Sequence, residues 1–165
     1  MKKSLSSILT AGVFSIAIGA SEPTEAATAT STIIVSATVI SFCLISAAPL
    51  TFGNYTSAQL DATAVLSASC TLGTPYTISL DQGGGTGATV AARHMNGTVA
   101  GSTLNYSIFS DTTRLAVWGN VVGTNTTAST GTGVVQTFTA YGRIPAAQLS
   151  APGVYTDTVN VTLTY

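Results

Sequence analysis

Val154-Tyr155-Thr156-Asp157-Thr158-Val159-Asn160-Val161-Thr162-Leu163-Thr164-Tyr165 closes the chain. Tyr155, Val159, Val161, Leu163 and Tyr165 share one parity, and Thr156, Thr158, Asn160, Thr162 and Thr164 the other. Strict alternation of this kind predicts a strand with one face in a core and one in water. The row ends with the chain, so no later strand is expected to cover its open edge.

Working back from this stretch, Val135 to Tyr141 alternates, as do Ser102 to Ser110, Tyr76 to Asp81 and, more loosely, Ala64 to Cys70. Gly73-Thr74-Pro75 separates the last two, which reads as a hairpin or a pair of neighbouring strands. Ala88 to Met95 reads as an edge strand ending at Asn96-Gly97. Ser46 to Tyr55, punctuated by Pro49, Gly53 and Asn54, reads as short extended pieces around a turn. Gly123 to Gly133, rich in Thr, Ser, Gly and Asn, reads as a long loop. No amphipathic helix stands out after the leader. Several short strands with Gly and Pro turns predict an all-β sandwich.

A second alternating stretch stands in front of all these, at Thr28 to Ser41. Ala29, Ser31, Ile33, Val35, Ala37 and Val39 form one row, with mostly Thr and Ser between them. It predicts a strand with one buried face, yet it lacks a turn that would fold it back as a hairpin.

Residues 1–27 read as a secretory signal peptide: Lys2 and Lys3, an apolar run from Leu5 to Ala20, then small residues at Ala26 and Ala27. Residues 28–165 carry only Arg93, Arg114 and Arg143 against Asp61, Asp81, Asp111 and Asp157. That near-neutral surface excludes a basic patch, and with it nucleic acid or anionic lipid as the expected partner. It suits packing against copies of the same chain. Cys43 and Cys70 both lie in the exported part, where an oxidising compartment favours a disulfide over two free thiols.

No catalytic site is expected. His94 is the only histidine and sits beside a turn as a solvated edge residue, the four Asp fall mostly at strand ends and turns, and Asp111 with Arg114 reads as a turn ion pair. One His and two paired Cys are too few for zinc. Gly83-Gly84-Gly85-Thr86-Gly87 lacks the Lys-Ser/Thr and adjoining helix of a phosphate loop, and reads as a flexible turn. Trp118, Tyr106 and Tyr141 could line a sugar platform, but a sandwich core is the commoner use of aromatics. No cofactor and no small-molecule substrate are expected.

Asn105-Tyr106-Ser107-Ile108-Phe109-Ser110-Asp111, Arg114, Val117-Trp118-Gly119, Tyr141-Gly142-Arg143-Ile144-Pro145 and the ending Pro152 to Tyr165 together resemble the spore coat protein U domain. Cys43 and Cys70 also stand where that family has its cysteines. The domain is similar to subunits of archaic, Csu-type chaperone–usher pili. The resemblance implies an incomplete immunoglobulin-like sandwich over 41–165 that lacks its last strand. It implies a periplasmic chaperone and an outer-membrane usher as partners. It also implies donor-strand complementation, in which residues 28–40 of another copy or a related subunit fill the gap. Ile33, Val35, Ala37 and Val39 are the expected plugs. The expected acceptor edge carries Tyr155, Val159, Val161, Leu163 and Tyr165, and the Tyr165 carboxylate is where the chaperone's basic residues would anchor. The implied role is a structural subunit of a surface fibre supporting adhesion or biofilm formation, exported through the periplasm. A spore-coat or cell-surface structural protein of the same fold is the alternative, and a secreted carbohydrate-binding module or tip adhesin a third reading.

Overall fold

A computed structural model describes residues 25–165. The leader reading falls on residues 1–27, so all but its last three positions lie outside the described residues.

Every regular element among the described residues is a strand. In chain order they are β1 (Cys43–Ala47), β2 (Leu60–Cys70), β3 (Pro75–Leu80), β4 (Arg93–Gly97), β5 (Thr103–Phe109), β6 (Thr127–Thr130), β7 (Val135–Ile144), β8 (Tyr155–Thr156) and β9 (Val161–Thr164). They form two sheets, ordered β1-β2-β7-β5-β4-β8 and β6-β3-β9, in which every described pairing is antiparallel. The all-β sandwich expected from the alternation is thus what forms.

The core is written by the period of two. Ala64, Leu66, Ala68 and Cys70 of β2 turn inward, as do Leu104, Tyr106 and Ile108 of β5, and Ala140 and Ile144 of β7. Tyr76, Ile78 and Leu80 of β3 answer them from the smaller sheet. Trp118 locks the two layers together. Its backbone N–H donates to Ile108 O at 2.9 Å and its indole Nε1 to Ile78 O at 3.1 Å, so one residue bonds to both sheets.

Cys43 and Cys70 are bonded, joining the first residue of β1 to the last of β2, 27 positions apart. On the chain-entropy view a loop of this size stabilises by roughly 3–4 kcal/mol. Replacing both cysteines by Ala is therefore expected to lower the folded stability by about that much, read as a shift of the urea midpoint with the slope unchanged.

Several expectations are corrected. β2 and β3 do not pair: each lies in a different sheet. Their apolar rows need to face one another across the sandwich, and the turn at Gly73 (φ +79°) bonds instead to Gly131. The loop expected over 123–133 contains β6, paired to β3; tertiary pairing overrides a composition that looked irregular. The edge strand expected over 88–95 begins only at Arg93 and lies between β5 and β8. The terminal stretch is not one strand but two, with β8 on the larger sheet and β9 on the smaller. Asp157 to Asn160 carry the chain from one sheet to the other.

Residues 25–37 form a unit of their own, and none of them lies in a strand. Thr38 to Phe42, at the start of the second unit, are also outside any strand. The strand expected over 28–41 is absent, because a strand needs a partner's N–H and C=O groups and this stretch has no ladder partner among the described residues.

Candidate functional site

The crossing at Asp157–Asn160 has a specific cause. Asp157 shares the parity of Tyr155 and Val159, so in a continuous strand it would point among apolar side chains. Its carboxylate instead accepts from Tyr106 OH at 2.5 Å, from Gly84 N–H at 2.7 Å and from Thr158 N–H at 2.8 Å. Three residues on, Asn160 donates its backbone N–H (2.9 Å) and its Nδ2 (2.6 Å) to Asp81. These bonds hold the chain between the sheets. The glycine loop is their seat: a Cβ on Gly83 (φ +81°) would collide with the Asp157 carboxylate.

The loop's other anchor is Arg93, which is fully buried. Its guanidinium donates to Asp81 O at 2.8 and 2.6 Å, to Val90 O at 2.9 Å, to Trp118 O at 2.8 Å and to Leu80 O at 3.2 Å. Burial lowers its pKa from the usual arginine range, with Tyr106, Asp81 and Asp157 opposing. Burial likewise drives the Tyr106 phenol far above its usual range, reinforced by the bond to Asp157.

Tyr106 and Asp157 of this cluster also line a groove of about 1150 Å³. One wall is the segment from Ala47 to Tyr55, which leaves β1, and the other runs from Ser150 to Val159 and on to Val161. Core side chains form the floor, among them Leu66, Tyr106, Ile108 and Ile144. No floor side chain is more than 6% exposed, apart from half-buried Met95.

The strand edges around it are open. β9 pairs only with β3, β8 only with β4, and β1 only with β2. Of the residues expected on the acceptor edge, Tyr155, Val159 and Val161 line the groove. Leu163 is half-buried against the core without lining it, and Tyr165 is 57% exposed. The expected plugs stand clear of any core: Ile33, Val35 and Val39 are each more than 80% exposed, and Ala37 is exposed as well.

Sequence reading passed over Leu50, Phe52, Arg93 and Asp157. Only Asp157 left a visible signal, as a lone charge in an apolar row. Asp111 does not pair with Arg114 but caps its own turn through Leu115 and Ala116 N–H. Arg114 instead meets Asp61 at 3.5 Å and lies over the Tyr141 ring, while Arg143 grips Asp61 through two bonds at 2.8 and 2.9 Å. His94 sits within the larger sheet rather than at its edge, with Nε2 2.8 Å from Thr86 O. Trp118 and Tyr106 are core residues. Among the described residues no three His, Cys, Asp or Glu side chains gather as a metal-ligand group.

Three depressed carboxylates make the fold sensitive to acid, one of them Asp111, held down by its hydrogen bond from Thr113. The Arg143 hydrogen bond holds Asp61 below the ordinary 3.8. Burial pushes Asp81 up, but its bonds from Asn160 and Gly83 outweigh that and leave it lowered. A depressed folded-state pKa adds stability above the unfolded value and loses it as pH falls through the folded one. The thermal midpoint should therefore be level from neutral pH down to about 5 and fall below about 4, and Asp81→Asn should flatten part of that fall.

The model of the Spore Coat Protein U domain family matches residues 29–162, which include the groove, its walls and most of the exposed leading stretch. The chain belongs to that family. A family relative, Protein U of Myxococcus xanthus, is 35% identical over 159 residues, covering 87% of this chain and 88% of its own length. A solved structure with the same fold is the complex between CsuC and CsuE, a chaperone–tip adhesion subunit pre-assembly complex from the archaic chaperone–usher Csu pili of Acinetobacter baumannii. It matches with a TM-score of 0.60 at 23% identity, over 78% of this chain. This chain spans about two fifths of that one, 41% of its length.

Proposed function

We propose that this chain is a structural subunit of a secreted surface fibre, completed by residues 28–40 of another copy or a related subunit. The observation that carries the reading is the conjunction of a groove with an apolar floor, bordered by strand edges unpaired among the described residues, with an exposed, alternating stretch that has no strand partner among those residues. An added strand supplies main-chain hydrogen bonds to the edge and sets every second side chain into the groove. Ile33, Val35, Ala37 and Val39 are the plugs, and Tyr155, Val159 and Val161 line their receptor, with Leu163 and Tyr165 continuing its edge. Donor and acceptor lie on different parts of the chain, so the contact is head-to-tail and builds an open filament.

The fold it shares with a chain of a chaperone–subunit complex supports a periplasmic chaperone that shields the groove before assembly, and an usher that exchanges it. The residue-1 to 27 signal peptide directs export, and the fibre serves adhesion or biofilm formation. The purified mature chain should form non-covalent ladders in denaturing gels without boiling that collapse on heating. A chain that stays monomeric at high concentration would overturn the reading.

The family's description favours one second reading, a spore-coat or cell-surface structural protein of the same fold outside a pilus. Genes for a chaperone and an usher beside this one favour the fibre; their absence, with the protein recovered from a coat fraction, favours the coat.

A further inference from the structure

The groove has a largely apolar floor, walls that mix apolar residues with Thr51, Asn54, Ser150, Thr156 and Thr158, and one charge. Asp157 is the single ionisable carboxylate among its described lining residues. It is only half-buried, so water reaches it in the open groove. A carboxylate offers about four lone-pair sites. Oδ1 takes Gly84 and Thr158 N–H, and Oδ2 takes Tyr106 OH, which leaves one site on Oδ2. A strand laid into the groove shuts solvent away from that site. Covering it with a methyl group leaves a charged acceptor unsatisfied in an apolar setting, which is costly.

The inward row of residues 28–40 is Ala29, Ser31, Ile33, Val35, Ala37 and Val39, and Ser31 is its one hydroxyl. We infer that Asp157 sets the register of the docked segment by accepting a hydrogen bond from Ser31 of the incoming copy; this rests on the strand-docking reading above. A shift of two residues would put Ala29 or Ile33 against the carboxylate. A shift of one would turn Val35 and Val39 out of the groove. One charged contact in a seam without other charges fixes register in the way a buried Asn does in coiled coils. The stability of the plugs comes from their apolar area, which tolerates slippage; the Ser31–Asp157 contact does not.

The test uses the full mature chain with a second copy of residues 28–40 appended after Tyr165 through a flexible linker, and the Ser31 substitutions are made only in that second copy. Ser31→Thr keeps the hydroxyl and Ser31→Val replaces it with a methyl of the same shape. Thr is expected to hold the parent's unfolding midpoint, while Val lowers the folding equilibrium constant about tenfold, the size of a lost hydrogen bond to a charged group. In an Asp157→Ala background the order is expected to reverse, with Val the more stable. If that variant does not fold, the Thr–Val comparison in the parent decides alone. Val equal to or more stable than Thr there overturns the Ser31–Asp157 contact while leaving strand docking intact. A fusion with no added stability in any form overturns strand docking, and this inference with it.

Discussion

Appending residues 28–40 after Tyr165 should convert a self-associating chain into a monomer whose thermal midpoint is higher by roughly 10 °C or more. The expectation rests on the exposed stretch and the open groove. Ile33, Val35 and Val39, each more than 80% exposed in the single chain, would be buried against Tyr155, Val159, Val161 and the groove floor. Full burial of a Val or Ile contributes roughly 1.5–3 kcal/mol, and the ladder adds main-chain bonds along an edge that has none. Ordering the segment offsets part of this. Each remaining kcal/mol moves the midpoint of a domain this size by about 4 °C. Size-exclusion chromatography and a thermal melt of both forms check it. A companion in which Val35 and Val39 of the appended copy become Asp should lose the gain and return to self-association. Equal stability of all three forms would show that the groove needs no strand.

Replacing Arg93 should be the most damaging single substitution in the domain. The side chain is fully buried and its five hydrogen bonds end on backbone carbonyls of four residues, Leu80, Asp81, Val90 and Trp118. Its removal by Arg93→Met leaves those acceptors facing an apolar side chain, at about 1–3 kcal/mol for each buried group left unpaired. Water entering the space will recover some of that. A net loss of about 4 kcal/mol or more is expected, which in the appended-strand form appears as a drop of roughly 15 °C in the melt. Arg93→Lys should not restore it, because an ammonium cannot reproduce the planar fork that reaches several carbonyls at once. The damage should spread to the groove: Trp118 and Asp81 both touch the guanidinium, and Asp81 in turn holds Asn160. A melt of Arg93→Met within about 3 °C of the parent would refute this account.

The two expectations bear on different layers of the same device. The leading stretch and the groove are a matter of apolar area and open edges, which sequence periodicity reports well. The polar cluster beside the groove is a matter of a few long-range hydrogen bonds, which periodicity does not report. Tyr155, Val159 and Val161 were legible as an inward row because burial on one face requires alternation. The break of that row into β8 and β9 was not, since it depends on Asp157 meeting Tyr106 and Asn160 meeting Asp81, partners 51 and 79 residues away.

Composition and pattern alone establish an all-β sandwich, the pairing of Cys43 with Cys70 and a leading stretch built like a strand without a neighbour. These come from local rules: a period of two, the places of Gly and Pro, and the redox state of an exported chain. Only the tertiary structure decides which strands share a sheet, that Gly83 and Gly84 seat a carboxylate, and that Arg93 is interior. An arginine beside a histidine looks solvated in a string of letters, and becomes a buried clamp only when three separate loops bring their carbonyls to it. Long-range hydrogen bonds of that kind have no period, so no reading of neighbours along the chain can find them.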